Sequence, residues 1–506
     1  MLRAMPKGGA ARLDLDGARV TIMGLGLHGG GAAAARFCAE RGARVTVTDL
    51  QPAEKLATSV EALSDLPIRL VLGRHEPEDF TAADIVVKNP AVPRNARYLA
   101  MAGRVETDIS LFLRECPLPV IAVTGTKGKS TTASAIHYGL TQAGYLSYLG
   151  GNITISPLTF LDEISESAEP AADRRTVVLE ISSFQLGDLL LTPHPDMFKP
   201  KVSVITNIFE DHQDYYGSME AYVADKRIIY RFQDHADTFI YNADDEYGRS
   251  FAREAAPESR RVRTLGVSAR ESAGHAPGAR LTAAGGGVFV GNDGRMKTLL
   301  PRRLGLAGAH MRMNLLTAAL ALHAYGLEAE AAGRAVAGFP GIPHRLERVG
   351  ATEGVIFVND SAATIPDAAA RAVEAFDAPV YLIAGGSDKN GSFDAFPAII
   401  DATARTYLLE GTGTTRILNL VAGTGAAGEA VVGPFASLRE AVETAYRDAL
   451  AEPHRSEAAE RAVVLLSPGC ASFGMFRNEF DRGRRFADLV GRIVGTAVES
   501  TDARRE

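Results

Sequence analysis

Short uninterrupted apolar runs alternate along this chain with longer stretches in which small and apolar residues recur at helical spacing. The runs at 18–23, 43–48, 85–88, 118–124, 176–179, 202–207, 355–359, 380–384 and 462–466 show little alternation of apolar with polar positions. That is the pattern of strands covered on both faces of a parallel sheet. Helical stretches lie between or after them: an Ala-rich segment ending near Gly42, then 218–232, 314–325, 366–376 and 437–450. Residues 281–300 alternate and turn at Gly291-Asn292-Asp293-Gly294, which predicts a β-hairpin. The stretch 255–280 is rich in Arg, Ala and Gly and reads as loop. Strand and helix alternate throughout, so the expected class is α/β with mostly parallel sheets.

A length of 506 residues suggests about three domains. Hydrophobic residues make up 46% and charged residues 23%, the balance of a globular protein with several cores. The net charge of −7 offers no basic excess for nucleic acid or a membrane surface, so neither partner is expected. Cys38, Cys116 and Cys470 have no CxxC spacing, which implies neither a disulfide framework nor a zinc site and fits a reducing cytosol. Residues 1–17 hold Arg3, Lys7 and Arg12 without an apolar core, so no secretory signal is expected. No apolar run approaches the ~18–20 residues of a transmembrane helix. A cytoplasmic protein is the expectation.

In parallel sheets, sites form beyond the carboxyl ends of the strands. The polar and glycine-rich segments of this chain fall there. Gly24-Leu25-Gly26-Leu27-His28-Gly29 follows a strand and opens a helix, and Asp49 ends the next strand. This G-x-G-x-x-G turn suits the pyrophosphate of a nucleotide, because glycine lets the backbone approach and the helix N-terminus favours an anion. Gly125, Thr126, Lys127, Gly128, Lys129, Ser130 and Thr131 form a shortened Walker-type loop between strand and helix. Its N–H groups can cradle phosphates, Lys129 can reach the β- and γ-phosphates, and Ser130 or Thr131 can hold Mg²⁺. Glu180 ends a buried strand, where a carboxylate asks for a cation. His212, in Asn207-Ile208-Phe209-Glu210-Asp211-His212, follows the neighbouring strand. Lys226 stands on a helix between Asp225 and Arg227, and spacing alone gives it no distinction. Asp360 and Thr364 end another strand, where they can bind a polar ligand or cap a helix. Lys389, and Ser472 with Phe473, follow two more strands, and His344-Arg345 stand at the junction of the second and third regions.

Together and in this order, these segments resemble the Mur ligase superfamily, from Gly24 to about Phe486. The motifs are TGTKGKST, Glu180-Ile181-Ser182-Ser183-Phe184-Gln185-Leu186, NxxEDHxDxY from Asn207 to Tyr216, GIPHR from Gly341 to Arg345, NDSxAT from Asn359 to Thr364 and SPxCASF from Ser467 to Phe473. The stretch after Glu180 is similar to that of the glutamate-adding branch. The resemblance implies three domains. A Rossmann-like domain at 1–117 would bind the uridine diphosphate through Gly24, Leu27, His28 and Asp49. A P-loop ATPase-like domain at 118–341 would bind ATP. A Rossmann-like domain at 342–506 would complete the ATP site and hold the amino acid. It further implies two Mg²⁺ sites around Ser130, Glu180, His212 and Lys226, the last as a CO₂-derived carbamate. Asn152, Asn314, Arg345 and Asp360 map to ATP- or substrate-contacting positions. Ser182 and Phe473 map to the substrate, and Thr364, Lys389 and Ser472 to the glutamate pocket. Lys129, His212 and Lys226 are the expected catalytic groups.

The implied activity is ATP-dependent addition of D-glutamate to UDP-N-acetylmuramoyl-L-alanine through an acyl phosphate, by a monomer. Three departures touch the amino-acid pocket: Ala362 where the superfamily has Lys, a missing aromatic residue common near Glu479, and His310 followed by Met rather than Asn. These keep an L-glutamate-adding variant open, beside a different amino-acid ligase of the same type. A nicotinamide dehydrogenase built on the Gly24–Gly29 turn and a nucleotide-gated binding module are more distant alternatives.

Overall fold

The computed structural model describes residues 13–502 apart from 27–28, 153–154, 167–173, 258–260, 272–276, 305–308, 353, 389–392, 423–429 and 452–461. The chain builds three sheets, mostly parallel, as the apolar runs predict. The first is wholly parallel, in the order Arg69–Leu72, Arg44–Asp49, Arg19–Met23, Ile85–Lys88, Val105–Glu106. Its order reverses beside Arg19–Met23, so a crevice opens where that strand delivers the Gly24 turn.

The second sheet has nine strands. Val120–Thr124 lies between Val202–Ile205 and Arg175–Glu180, parallel to both. That order places the phosphate loop, Glu180 and the segment leading to His212 at one sheet edge. Leu146–Gly151 pairs outside Arg175–Glu180. On the other side run Thr238–Asn242, Arg263–Ser268 and Gly278–Leu281, then the antiparallel Gly287–Val290 and Met296–Leu300. The turn at Gly291–Gly294 joins the last two, as its Asn-Asp-Gly sequence predicts.

Two expectations fail here. The stretch read as loop at 255–280 contains Arg263–Ser268 and the start of Gly278–Leu281. Leu265 and Val267 are buried at 1% and 2% exposure, and the strand gains its register from Thr238–Asn242. Its apolar signal is too short to stand out among Arg and Gly. The helix expected over 218–232 is two helices, Met219–Lys226 and Ile228–Arg231, with Arg227 between them.

The third sheet runs Glu347–Thr352, Val355–Asn359, Ala462–Leu466, Val380–Gly385, Arg405–Leu409, Val431–Phe435, with only the first strand antiparallel. The chain divides into two compact units, Met1–Phe339 and Pro340–Glu506. The first unit holds both of the first two sheets. One core cluster there runs from Leu15 and Val20 through Ile109 and Phe112 to Val177 and Phe239, so the two sheets share a continuous apolar interior. In the second unit separate clusters lie on the two faces of the sheet, one around Ile356, Leu382 and Leu465 and the other around Phe357, Ile383 and Val464.

Candidate functional site

Val120–Thr124 delivers the phosphate loop, and the helix Lys129–Gln142 leaves it. Gly125 and Gly128 hold φ of 144° and 80°, values that side-chain-bearing residues resist. Space demands glycine as well. A Cβ on Gly125 would lie 2.0 Å from Thr206 Oγ1, and one on Gly128 would lie 2.6 Å from Asn314 Oδ1. Asn314, on Ala309–Tyr325, therefore abuts the loop. The next strand end fastens the loop. Thr126 N donates to Asn207 O (2.8 Å) and Lys127 N to Asn207 Oδ1 (2.8 Å), while Thr206 Oγ1 donates to Lys127 O (2.6 Å). Thr126 Oγ1 and Tyr222 OH are 2.9 Å apart. Lys129 Nζ donates to Gly125 O (3.1 Å) and Thr126 O (3.0 Å), so the cation lies against its own loop. Ser130 and Thr131 are half-buried at the start of the helix.

Glu180 closes Arg175–Glu180 at 1% exposure. Asn152 Nδ2 donates to its Oε1 (2.9 Å), and Asn152 N donates to its carbonyl (2.7 Å). Its Oε2 is buried without a hydrogen-bond partner. A buried acceptor left this way is costly unless a cation completes it. Lys226, also 1% exposed, donates to Gly125 O (2.8 Å), and its Nζ lies 4.7 Å from the centre of the Tyr222 ring. Burial, then Lys129, hold its ammonium well below the ordinary lysine value, against Asp211, Asp225 and Glu180. His212 occupies the left-handed region at φ 54°, with its ring 4.9 Å from that of Phe184. A non-glycine residue in this conformation carries strain that the surrounding fold must hold. Among the described residues no three His, Cys, Asp or Glu side chains gather at metal-binding spacing. The unpartnered Glu180 oxygen is a hard donor of the kind Mg²⁺ takes beside phosphate oxygens.

In the first sheet, Gly24, Gly26 and Gly29 hold φ of 93°, 63° and 81°. Asp49 Oδ2 accepts from Leu25 N (2.9 Å) and Gly26 N (3.1 Å), and Oδ1 from Gln51 N (2.8 Å). The acid therefore clamps the turn. Leu27 and His28 lie outside the described residues. Beside the turn opens a cavity of about 900 Å³, lined by Gly24, Gly26, Asp49, Leu50, Lys55 and Arg97 among others. The cations Lys55 and Arg97 escaped the sequence reading because neither sits in a motif. A second cavity of about 460 Å³ is lined by Gly30, Asn89, Asp108, Asn152, Ser182 and Phe184 among others. Ser182 caps Ser183–Leu189, its Oγ accepting from Gln185 N (3.2 Å). Asp108 was also missed. Burial pushes its carboxyl up to about 6, opposed by donors at Ile109 N and Ser156 Oγ.

The second unit has its own polar cluster. Asp360 follows Val355–Asn359, accepts from Leu346 N (3.1 Å) and Ser467 Oγ (2.7 Å), and is pushed up to about 6 by burial. His344 and Leu346 hold φ of 64° and 45°, and exposed Arg345 stands between them. Ser361 Oγ donates to the Glu479 carbonyl (2.7 Å). Buried Arg482 donates to Ser361 O (2.9 Å) and Cys470 O (3.2 Å), joining the segments that carry Asp360 and Ser472. Thr364 is half-buried, Ser472 is buried and Phe473 is 59% exposed. Lys389 lies outside the described residues.

Residues 123–322 match the Mur ligase middle domain. The chain is 38% identical over 549 residues to the UDP-N-acetylmuramoylalanine–D-glutamate ligase of Treponema pallidum, covering 96% of this chain and 99% of that protein. It is 40% identical over 485 residues to the ligase of the same name from Roseiflexus sp., covering 94% and 99%. Among solved structures it is similar to the UDP-N-acetylmuramate-alanine ligase MurC of Thermotoga maritima. There the TM-score is 0.54 at 18% identity, over 93% of this chain and 98% of that one. MurF of Acinetobacter baumannii gives 0.54 at 16%, over 88% and 91%. These two likenesses concern the fold alone.

Proposed function

We propose that this chain, which belongs to the Mur ligase family and within it to the UDP-N-acetylmuramoylalanine–D-glutamate ligases, uses ATP to join D-glutamate to UDP-N-acetylmuramoyl-L-alanine. A carboxylate cannot lose oxide to an attacking amine. The alanyl carboxylate oxygen therefore attacks the γ-phosphorus, the bond to ADP breaks, and an acyl phosphate forms. The neutral glutamate amine then attacks the acyl carbon, phosphate leaves with its electron pair, and the amine proton passes to a base or to solvent.

The phosphate loop positions the triphosphate, and Lys129 moves from its loop carbonyls to the transferring phosphoryl group. Asn314 closes the side of the loop. The cavity of about 900 Å³ suits the uridine diphosphate, with Lys55 and Arg97 as cations on its wall. The smaller cavity, reaching Asn152 and Ser182, suits the muramoyl-alanine arm. Within the second unit, Thr364 and Ser472 would hold the glutamate.

The partnerless Oε2 of buried Glu180 is the observation that carries the metal-dependent reading. Glu180, Ser130, His212 and Lys226 would hold Mg²⁺, which when bound supplies positive charge to the phosphate oxygens. Lys226 suits carbamylation, because burial lowers its basicity and so favours the neutral amine that reacts with CO₂. Its nitrogen bonds to the carbon of CO₂ and its proton goes to solvent, which leaves an anionic oxygen ligand. Lys226→Ala is expected to lose turnover and to regain part of it with short carboxylates; full turnover without additive removes the carbamate role.

An enantiomer-resolved ligation assay tests the whole reading. Phosphate release and amide product are expected with D-glutamate and not with L-glutamate. Product with L-glutamate alone overturns the stereochemistry, and no product with either overturns the ligase reading.

A further inference from the structure

The segment at 89–93 touches both cavities described above. Asn89 and Ala91 line each, Val92 and Pro93 the larger, and Pro90 the smaller. A cation stands at each end of it. Lys88, the last residue of its strand, is 1% exposed. Its Nζ lies 2.5 Å from Asp188 Oδ2 and donates to Asn89 O at 3.2 Å. Arg94 forks onto both oxygens of Asp225, with Nη1 3.1 Å from Oδ1, and its Nε lies 4.0 Å from Asp188 Oδ1.

The two carboxylates stand on helices that carry site residues. Asp188 is on Ser183–Leu189, capped by Ser182. Asp225 immediately precedes Lys226 on Met219–Lys226, and Tyr216 OH donates to its Oδ2 at 2.8 Å. The packing leaves no slack. A Cβ on Gly187 would lie 2.3 Å from Asp225 Oδ2 and 2.6 Å from an Arg94 nitrogen.

Water cannot replace a partner lost from the fully buried Lys88–Asp188 pair, and separation there would leave an uncompensated charge; Arg94 is 28% exposed, and its pair with Asp225 is held by the two-pronged geometry. The loop and the two helices are therefore held in one arrangement. We propose that the Lys88–Asp188 and Arg94–Asp225 pairs form a strap that couples the uridine-nucleotide cavity to the helix bearing Lys226, with Arg94 and Asp225 as positioning residues. Substrate that shifts the loop then shifts the helix bearing Lys226, and by reciprocity ATP seated beside that helix tightens the substrate. This inference rests on the two-nucleotide reading above and adds the means by which the sites communicate.

Calorimetric titration of the full chain tests it, using UDP-N-acetylmuramoyl-L-alanine with and without a non-hydrolysable ATP analogue and Mg²⁺. The analogue is expected to tighten substrate binding by about fivefold or more in the unaltered protein. In Arg94→Gln, and separately in Asp225→Asn, that tightening is expected to vanish while each ligand alone binds close to the unaltered value. The double variant is expected to add nothing further, since both changes break one link. Tightening retained in the variants overturns the strap, as does loss of each ligand's own affinity, the mark of a merely structural role. If Arg94→Gln fails to fold, Asp225→Asn decides, because its side chain can still accept from Tyr216. Independent binding of both ligands to the unaltered protein overturns the strap and leaves the ligase reading intact. Binding of neither overturns the ligase reading itself.

Discussion

The turns at Gly24–Gly29 and at Gly125–Gly128 share a plan. Each follows a parallel strand at a switch in strand order, uses glycines at positive φ, and opens a helix of 11 or 14 residues. They differ in what holds them. In the first, a carboxylate takes two of the turn's own N–H groups, through Asp49. In the second, the neighbouring strand end holds the loop through Asn207 and Thr206, and the cation Lys129 rests on carbonyls it can leave. An acid-clamped turn is a rigid wall for a ligand to lie against. A loop fastened from one side, with a cation resting on its carbonyls, leaves its N–H groups and that cation to face phosphate. Similar glycine patterns are thus held by different means, which suits the binding proposed for the first and the phosphoryl transfer proposed for the second.

The sharpest break in this contrast is Lys129→Ala. Phosphate release is expected to fall by about 10²–10³-fold, the cost of losing a donor aimed at developing charge, with binding of uridine nucleotide unchanged. Asp49→Ala should behave in the opposite sense. Leu25 N and Gly26 N lose their acceptor, which costs roughly 1–3 kcal/mol in urea unfolding. Substrate KM should rise with little change in kcat.

Gly128→Ala and Gly29→Ala separate crowding from strain, because both positions hold φ near 80°. At Gly128 the new methyl meets Asn314 Oδ1 at 2.6 Å, so ATP-analogue affinity should drop as well as stability. At Gly29 nothing lies within 4 Å. There the loss is expected to be the backbone cost alone, about 1–2 kcal/mol, read as a lowered melting temperature. The smallest effect is expected from Lys127→Met. It removes the half-exposed ion pair to Asp211 and should shift unfolding by less than about 1 kcal/mol.

Much of this was legible in local sequence. The two glycine turns were readable because strand, turn and helix are contiguous and glycine alone tolerates those dihedrals. Glu180 was readable because a carboxylate closing an apolar run is anomalous. Lys226 was not: on its helix it resembles any solvated lysine, and only resemblance drew attention to it. Its burial against Gly125 depends on a strand 101 positions away in sequence. Arg263–Ser268 was missed for a related reason, since its register comes from Thr238–Asn242 and not from its own periodicity.

The sequence by itself determined the α/β class, the strands with long apolar runs, and the two glycine turns between strand and helix, because each rests on dihedral preferences and apolar patterns spanning a few residues. Only the tertiary structure decided that Asp49 clamps its own turn, that one Glu180 oxygen is left without a partner, and that Lys88 and Arg94 meet carboxylates 100 and 131 positions away. Pairing and desolvation over such separations depend on how helices pack across two sheets, and no local pattern of residues records that.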